Sequence, residues 1–355
     1  MRSSPISRNI FGLTGFLVLI AGLAGALAPM VPVRSASAQD VQPALEKANV
    51  YIEVAKTTER AVESWERYAS WVNMKTGPTG KERYISYGMY DLYDLAGLLE
   101  QARAAPGKDP GVPQLDAAMM RYIDAYEALA PIMNQASAYY DRSGYETDNA
   151  AEGQALHRQI VPLATAFLAE RDAMMPELRT FVRDVEEQEI AAIETREGRS
   201  TAWQVGQVMH ALNRVVDLFP RNRPEPIDSD TLDEMMSALG PDTPGEKFDE
   251  IIAGVAPTQN AVIDVERFGE AIENYAGAVD VFDRFAGEEP EGFEEFKALP
   301  RQMLDLLRAF QEQLTQSQGR EFDGGAQMAG QITEVYFSML NAGSSIWGSQ
   351  LQFLP

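Results

Sequence analysis

The sequence contains no cysteine. That excludes disulfides, thiolate metal sites and cysteine nucleophiles, and it excludes lipid attachment to an N-terminal cysteine. Histidine is almost as scarce. The two that occur, His157 and His210, are too far apart for an H-x-x-x-H zinc element, so only folding can pair them. Basic residues are outnumbered, 30 Lys and Arg against 53 Asp and Glu, for a formal charge of −23. Such a balance repels nucleic acid and anionic membrane surfaces, and no nucleic-acid partner is expected. A G-x-S-x-G elbow, a P-loop and a dinucleotide fingerprint are also missing. After residue 38 no run is apolar enough to cross a membrane. No convincing alternating β-type segment and no tandem period is present. Carboxylate pairs such as Asp91 with Asp94, or Glu186 with Glu189, are expected in so acidic a chain without any function. These absences point away from an enzyme, and no cofactor or metal is expected.

What is present begins with a targeting segment. Arg2 and Arg8 form a positive start, an apolar run follows from Ile10 to Ala28, and Ala36-Ser37-Ala38 is a small-x-small cleavage site. This pattern predicts bacterial export, with cleavage after Ala38 and a periplasmic or secreted mature protein. The run is near the length of a membrane span, so an uncleaved N-terminal anchor is the alternative.

The mature chain, 39–355, reads as helix almost throughout. Apolar residues at three- and four-residue steps predict helices over 43–73, 81–104, 114–140, 149–197, 200–219 and 258–285. Two more start near Pro300 and Gly325, the last reaching Ile346. Thr231-x-x-Glu234 and Thr243-Pro-Gly-Glu246 open short ones. Asn149-Ala-Ala-Glu152 reads as a further capping box. Pro131, Pro162 and Pro176 predict bends. The fold class is all-α, an elongated up-down bundle of kinked long helices. The proline-rich stretch Pro220–Pro226 is a candidate subdomain boundary, near 220–227.

The aromatic residues concentrate between Trp65 and Leu95. Trp65, Tyr68 and Val72 share a helix face, and Thr76-Gly77-Pro78 ends that helix. Thr79-x-x-Glu82 reads as a capping box for the next. There Tyr84, Tyr87, Tyr90 and Tyr93 recur every third residue and wind slowly around the helix. A ligand groove has as its candidates Trp65, Trp71, Tyr84, Tyr87, Tyr90, Tyr139, Tyr140 and His157. The competing reading is structural, with rings packed between helices and hydroxyls at the wet edge. His157 is either oriented by a carboxylate from another helix, as base or ligand, or is a plain interhelix hydrogen-bonding histidine. Oxygens at Asp141, Ser143, Glu146 and Asp148 resemble a calcium loop only faintly, with a misplaced glycine and no closing glutamate.

Three stretches, KANVYIEVAKTTERAVESWERYASWV, MKTGPTGKE and YYDRSGYETDNAAEGQALHRQIVPLATAF, resemble the YiiG-like family. These are exported bacterial proteins and lipoproteins classed as a domain of unknown function. The resemblance is clearest over 45–185 and looser beyond. It implies a helical domain in the cell envelope and carries no catalytic residues. Members are often lipid-anchored, and this chain, lacking cysteine, departs from that. The reading that follows is a non-enzymatic binding or protein-interaction component of the envelope, with an unknown envelope protein or ligand as partner. The alternative is a binder of a small molecule, glycan or metal ion through an aromatic and carboxylate groove.

Overall fold

The long helices follow the apolar stripes. In the computed structural model, which describes residues 38–219, 262–320, 322, 324–349 and 351, α1 spans Ala38–Trp71, α3 Pro113–Asp141 and α5 Ala151–Glu197, with the one-turn α4 (Tyr145–Asp148) between the last two. The fold is all-α, and no strand occurs among the described residues. Pro131 lies inside α3, and Pro162 and Pro176 inside α5. Each removes one backbone hydrogen bond, yet both helices continue, because buried side chains flank every proline. Around Pro131 these are Leu129 and Met133, and around Pro176 they are Met175 and Leu178. Among the described residues no helix is long and apolar enough to cross a membrane.

Two hydrophobic cores share α5. The first joins α1, the short helix α2 (Ala96–Ala104), α3 and α5 from Leu156 to Val185, with Ala192 beyond. The second takes Ile190 and Ile193 of α5 and joins them to α6 (Thr201–Val216) and α7 (Val265–Asp283). It is completed by α8 (Phe293–Lys297), α9 (Leu299–Gln316) and α10 (Gly325–Trp347). At 47 residues, α5 is about 70 Å long, enough to serve both. The two cores fall in one unit of the chain, Ser35–Pro355. The expected targeting segment, the Pro220–Pro226 boundary and the short helices at Thr231 and Thr243 lie outside the described residues.

Several caps follow the expected chemistry. Ser200 Oγ accepts from Trp203 N at 3.3 Å to open α6, and Asp264 Oδ1 accepts from Arg267 N at 3.1 Å to open α7. At α5 the capping box expected at Asn149 does not form. Asn149 and Ala150 are both left-handed, and Asp148 Oδ2 instead accepts from Glu152 N at 2.8 Å. The Glu152 N–H holds the Asp148 carboxyl below its ordinary pKa, with smaller contributions from the Tyr139 hydroxyl and the Ala150 and Ala151 N–H groups.

The helix expected from Lys81 to Ala104 is absent over its first half. Residues 72–95 hold only a single 3-10 turn, Ile85–Tyr87, before α2 begins at Ala96. Thr79 and Glu82 do bond, with Thr79 N to Glu82 Oε1 at 2.5 Å, but they close a turn and start no helix. Gly88 decides the outcome. Its φ of +57° favours glycine, and a Cβ there would stand 3.0 Å from Tyr140 Cβ. Beyond it the chain runs extended as a strap against α1 and α3.

An extended strap has no ladder of its own, so its carbonyls need other partners. Side chains of α1 and α3 supply them in sequence. Arg67 Nε donates to Tyr87 O at 2.8 Å and Trp71 Nε1 to Gly88 O at 2.8 Å. Ser137 Oγ donates to Met89 O at 3.2 Å and Ser64 Oγ to Tyr90 O at 2.8 Å. Arg60 Nε reaches Asp91 O at 3.4 Å. Asn134 takes both groups of Leu92, with N to Oδ1 at 2.7 Å and Nδ2 to O at 3.4 Å. Arg60, Ser64, Arg67 and Trp71 lie on one face of α1, and that face fixes the strap's path.

Candidate functional site

The candidate residues separate into a buried knot and a strap that runs from buried Tyr84 to exposed Tyr93. In the knot, Tyr68 packs edge-on against Trp71 at 5.2 Å, and Trp71 against Tyr140 at 5.0 Å. Tyr139 meets Tyr140 at 5.0 Å, and Trp65 lies 6.3 Å from Tyr68. His157 sits 5.9 Å from the Tyr68 ring. These rings come from α1, α3 and α5, and all are buried. Such edge-to-face contacts satisfy the ring quadrupoles.

His157 is the knot's fastening. Its Nδ1 lies 2.9 Å from the Tyr68 hydroxyl and its Nε2 3.3 Å from Met74 O. A carbonyl can only accept, so Nε2 carries the proton and Nδ1 accepts from Tyr68. Burial pushes the His157 pKa down, the Met74 carbonyl partly opposes this, and Arg158 adds to it. Burial and the neighbouring Tyr140 push the Tyr68 hydroxyl well above its ordinary value. Both shifts favour the neutral forms, and at 7% exposure His157 is buried. Its chemical role here is to hold the 72–80 turn against α1 and α5. Gly77 is required for that approach, since its φ is +75° and a Cβ would stand 3.0 Å from His157 Cδ2. The oxygens of 141–148 serve a similar end, with Tyr139 donating to Asp148 Oδ1 at 2.9 Å.

The strap carries the remaining candidates. Tyr84 is buried and stacks on half-buried Tyr87 with centroids 5.4 Å apart and planes 8° from parallel. Arg67 donates to the Tyr90 hydroxyl at 2.8 Å. Arg60 lies 3.8 Å over the Tyr90 ring, a cation–π contact. Tyr93 is 61% exposed, whereas Leu92 and Leu95 are buried beneath it. Tyrosine and arginine thus share one surface, held from below by the strap's side-chain bonds.

Two buried polar clusters escaped the sequence reading. Lys47, 2% exposed, lies 3.4 Å from Asp116 and donates to Pro110 O at 2.8 Å. Tyr51 donates to Asp116 Oδ1 at 2.6 Å. In the second cluster Glu186 receives His210 Nδ1 at 3.0 Å and Asn213 Nδ2 at 2.8 Å. Tyr336 donates to Asn213 Oδ1 at 2.9 Å, tying α10 to α6 and α5. So the histidine that meets carboxylates is His210, and not His157. A signal for both clusters existed. Lys47 lies among Ala44, Ala48 and Tyr51, and Glu186 follows Phe181, Val182 and Val185, each a charge on an apolar face. Among the described residues no group of three His, Asp or Glu side chains is placed to hold a metal ion.

A family model described as "Protein of unknown function (DUF3829)" matches residues 42–284. The chain belongs to that family. The match runs from the start of α1 to the end of α7, so it includes the knot and the strap and stops before α8. "Uncharacterized protein YiiG" of Escherichia coli (strain K12) is 29% identical over 189 residues, 50% of this chain and 52% of that protein. The chain thus matches about half the length of this curated relative. No solved structure matches. The YiiG-like resemblance therefore stands, and the residues that carried it are those that meet in the knot. His157 touches Gly77, and a Cβ on Gly153 would stand 3.0 Å from Tyr139 and 3.3 Å from Pro78.

Proposed function

We propose that this protein is an exported, non-enzymatic component of the bacterial cell envelope that binds another protein through its strap. The observation that supports this is the surface of Tyr87, Tyr90 and Tyr93 with Arg60 and Arg67. These residue types are enriched at protein interfaces and dominate binding energy there. The surface is also preorganised. The Tyr87–Leu92 carbonyls are already satisfied, so little order remains to be imposed when a partner docks. Export is supported by the pattern of residues 2–38.

The test is a photo-crosslinking amino acid placed at Tyr93 in the native host. One defined adduct is expected from the envelope fraction, and Arg67→Ala should remove it by freeing the Tyr90 ring. A control probe at exposed Phe337 on α10 should not give the same adduct. No adduct at position 93, or one that survives Arg67→Ala unchanged, overturns the reading.

A further inference from the structure

Four arginines surround one cleft of about 450 Å³ where α5, α6 and α7 meet. On α5, Arg179 and Arg183 are one turn apart and share a face with Pro176 and Thr180. Arg214 comes from the last turn of α6, and Arg267 from the first turn of α7. The acids on the lining are Asp217 and Glu270. A chain of net charge −23 thus gathers a positive excess into one concavity. Like charges brought together in a cleft focus their potential and attract anions.

Some of this charge is already engaged. Arg183 Nη1 lies 3.8 Å from Asp217 Oδ2, and its Nη2 donates to Thr180 Oγ1 at 3.2 Å. Arg214 and Arg267 differ. Both are exposed, and among the described residues neither has a carboxylate within 4.0 Å. Their guanidinium forks come from two helices at one opening. A planar carboxylate suits one fork, whereas a tetrahedral phosphate offers oxygens in several directions and takes forks from different sides. The cleft is larger than one phosphate and falls in the range of small-molecule sites. Pro176, Leu218 and Ala271 provide an apolar wall, and Asn274 an additional polar group.

We propose that this cleft binds a phosphorylated small molecule, its phosphate held by Arg214 and Arg267 and its organic part against the apolar wall. The site lies on α5, α6 and α7, away from the strap residues, and stands independently of the function proposed for them. The same phosphate chemistry is offered by a free phosphomonoester and by a lipid headgroup.

The experiment is isothermal titration calorimetry on the full-length protein, with glycerol 3-phosphate and inorganic pyrophosphate as probes. Vesicles containing phosphatidylglycerol, scored by flotation, form the second arm. Saturable binding of a free phosphate is expected, weakened at least about tenfold in R214Q/R267Q. Neither substitution removes an ion pair of the described residues, and circular dichroism checks that the double variant is folded. Arg103→Gln on α2 should leave binding unchanged. Failure of both free probes, or equal binding by the double variant, overturns the proposal. Flotation that is lost in the double variant, with no binding of free probes, also overturns it and reassigns the cleft to a lipid headgroup.

Discussion

In the first core several of the buried aromatics end in atoms that hydrogen-bond. Tyr51 donates to Asp116, Tyr68 to His157, Tyr139 to Asp148 and Trp71 to Gly88 O, while the Tyr122 hydroxyl meets Thr58 at 2.5 Å. In the second core they are mostly phenylalanines, among them Phe268, Phe282, Phe293, Phe296 and Phe310. There Tyr275 donates to Pro300 O at 3.0 Å, while the buried Nε1 groups of Trp203 and Trp347 meet no hydrogen-bond partner among the described residues. The difference follows the chain's path. The first core must hold three excursions between its long helices, 72–95, 105–112 and 142–150, and each is fastened by a polar-tipped ring. Trp71 and Tyr68 hold the first, Tyr51 with Lys47 and Asp116 the second, and Tyr139 the third. The second core packs helix on helix and asks mainly for volume. The first region leans on polar-tipped rings, whereas the second leans mainly on packed volume, with the Glu186, His210, Asn213 and Tyr336 cluster as its polar tie.

The largest test of this contrast removes a charge. Lys47→Met should destabilise the protein by about 3–5 kcal/mol in urea unfolding, because Asp116 stays buried without its cation. The double variant K47M/D116L should regain most of that loss, since nothing charged is then left unpaired. In the second core Phe296→Ala should cost a similar 3–5 kcal/mol by leaving a cavity. No partner substitution of the polar kind can recover it. If the double variant is no better than K47M, the first core does not depend on paired polar groups in the way argued.

The next test is pH. The folded pKa of His157 lies below its ordinary 6.5. Between those two values the unfolded chain binds a proton that the folded imidazole does not. Stability is therefore full above about pH 6.5 and falls as pH drops towards the folded value, by at most about 1.4 kcal/mol per pH unit. Melting temperatures between pH 7.5 and 5 should decline, and His157→Gln should flatten part of the decline. An unchanged slope in that variant would separate His157 from the acid sensitivity. In the second core Phe296→Ala removes no titratable group, so it should shift the curve without changing this part of its slope.

These cases also show what a sequence makes legible. The long helices α1, α3 and α5 were readable because their apolar residues repeat at helical spacing over many turns. Their cores were readable for the same reason. The strap was not, because tyrosines at 84, 87, 90 and 93 imitate a helical period while one glycine at 88 breaks it. Its bonds come from α1 and α3, distant in the chain, and no local pattern reports them. The aromatic candidates were chosen by composition, which gathered Trp71, Tyr139, Tyr140 and His157 correctly in space. Composition could not say that Tyr87 and Tyr90 belong to a different, outward surface. The Glu186 and His210 pairing was hidden by the abundance of carboxylates, although Glu186 lies on an apolar face.

The smallest test addresses the strap itself. Asn134 both donates to the strap and accepts from it, at 3.4 and 2.7 Å from Leu92. Asn134→Ala leaves the Leu92 amide and carbonyl without those partners. The global cost should be about 1 kcal/mol, because Leu92 and Leu95 still pack beneath the strap. The local cost should be larger in relative terms. Hydrogen exchange at the Leu92 amide should accelerate by about tenfold or more, while amides within α5 stay protected. That pattern would mean the strap opens separately from the core, as a surface held by side chains should. If α5 and the strap accelerate together, the strap is part of the first core's single cooperative unit. The division between fastening bonds and packed volume would then have to be redrawn within that core.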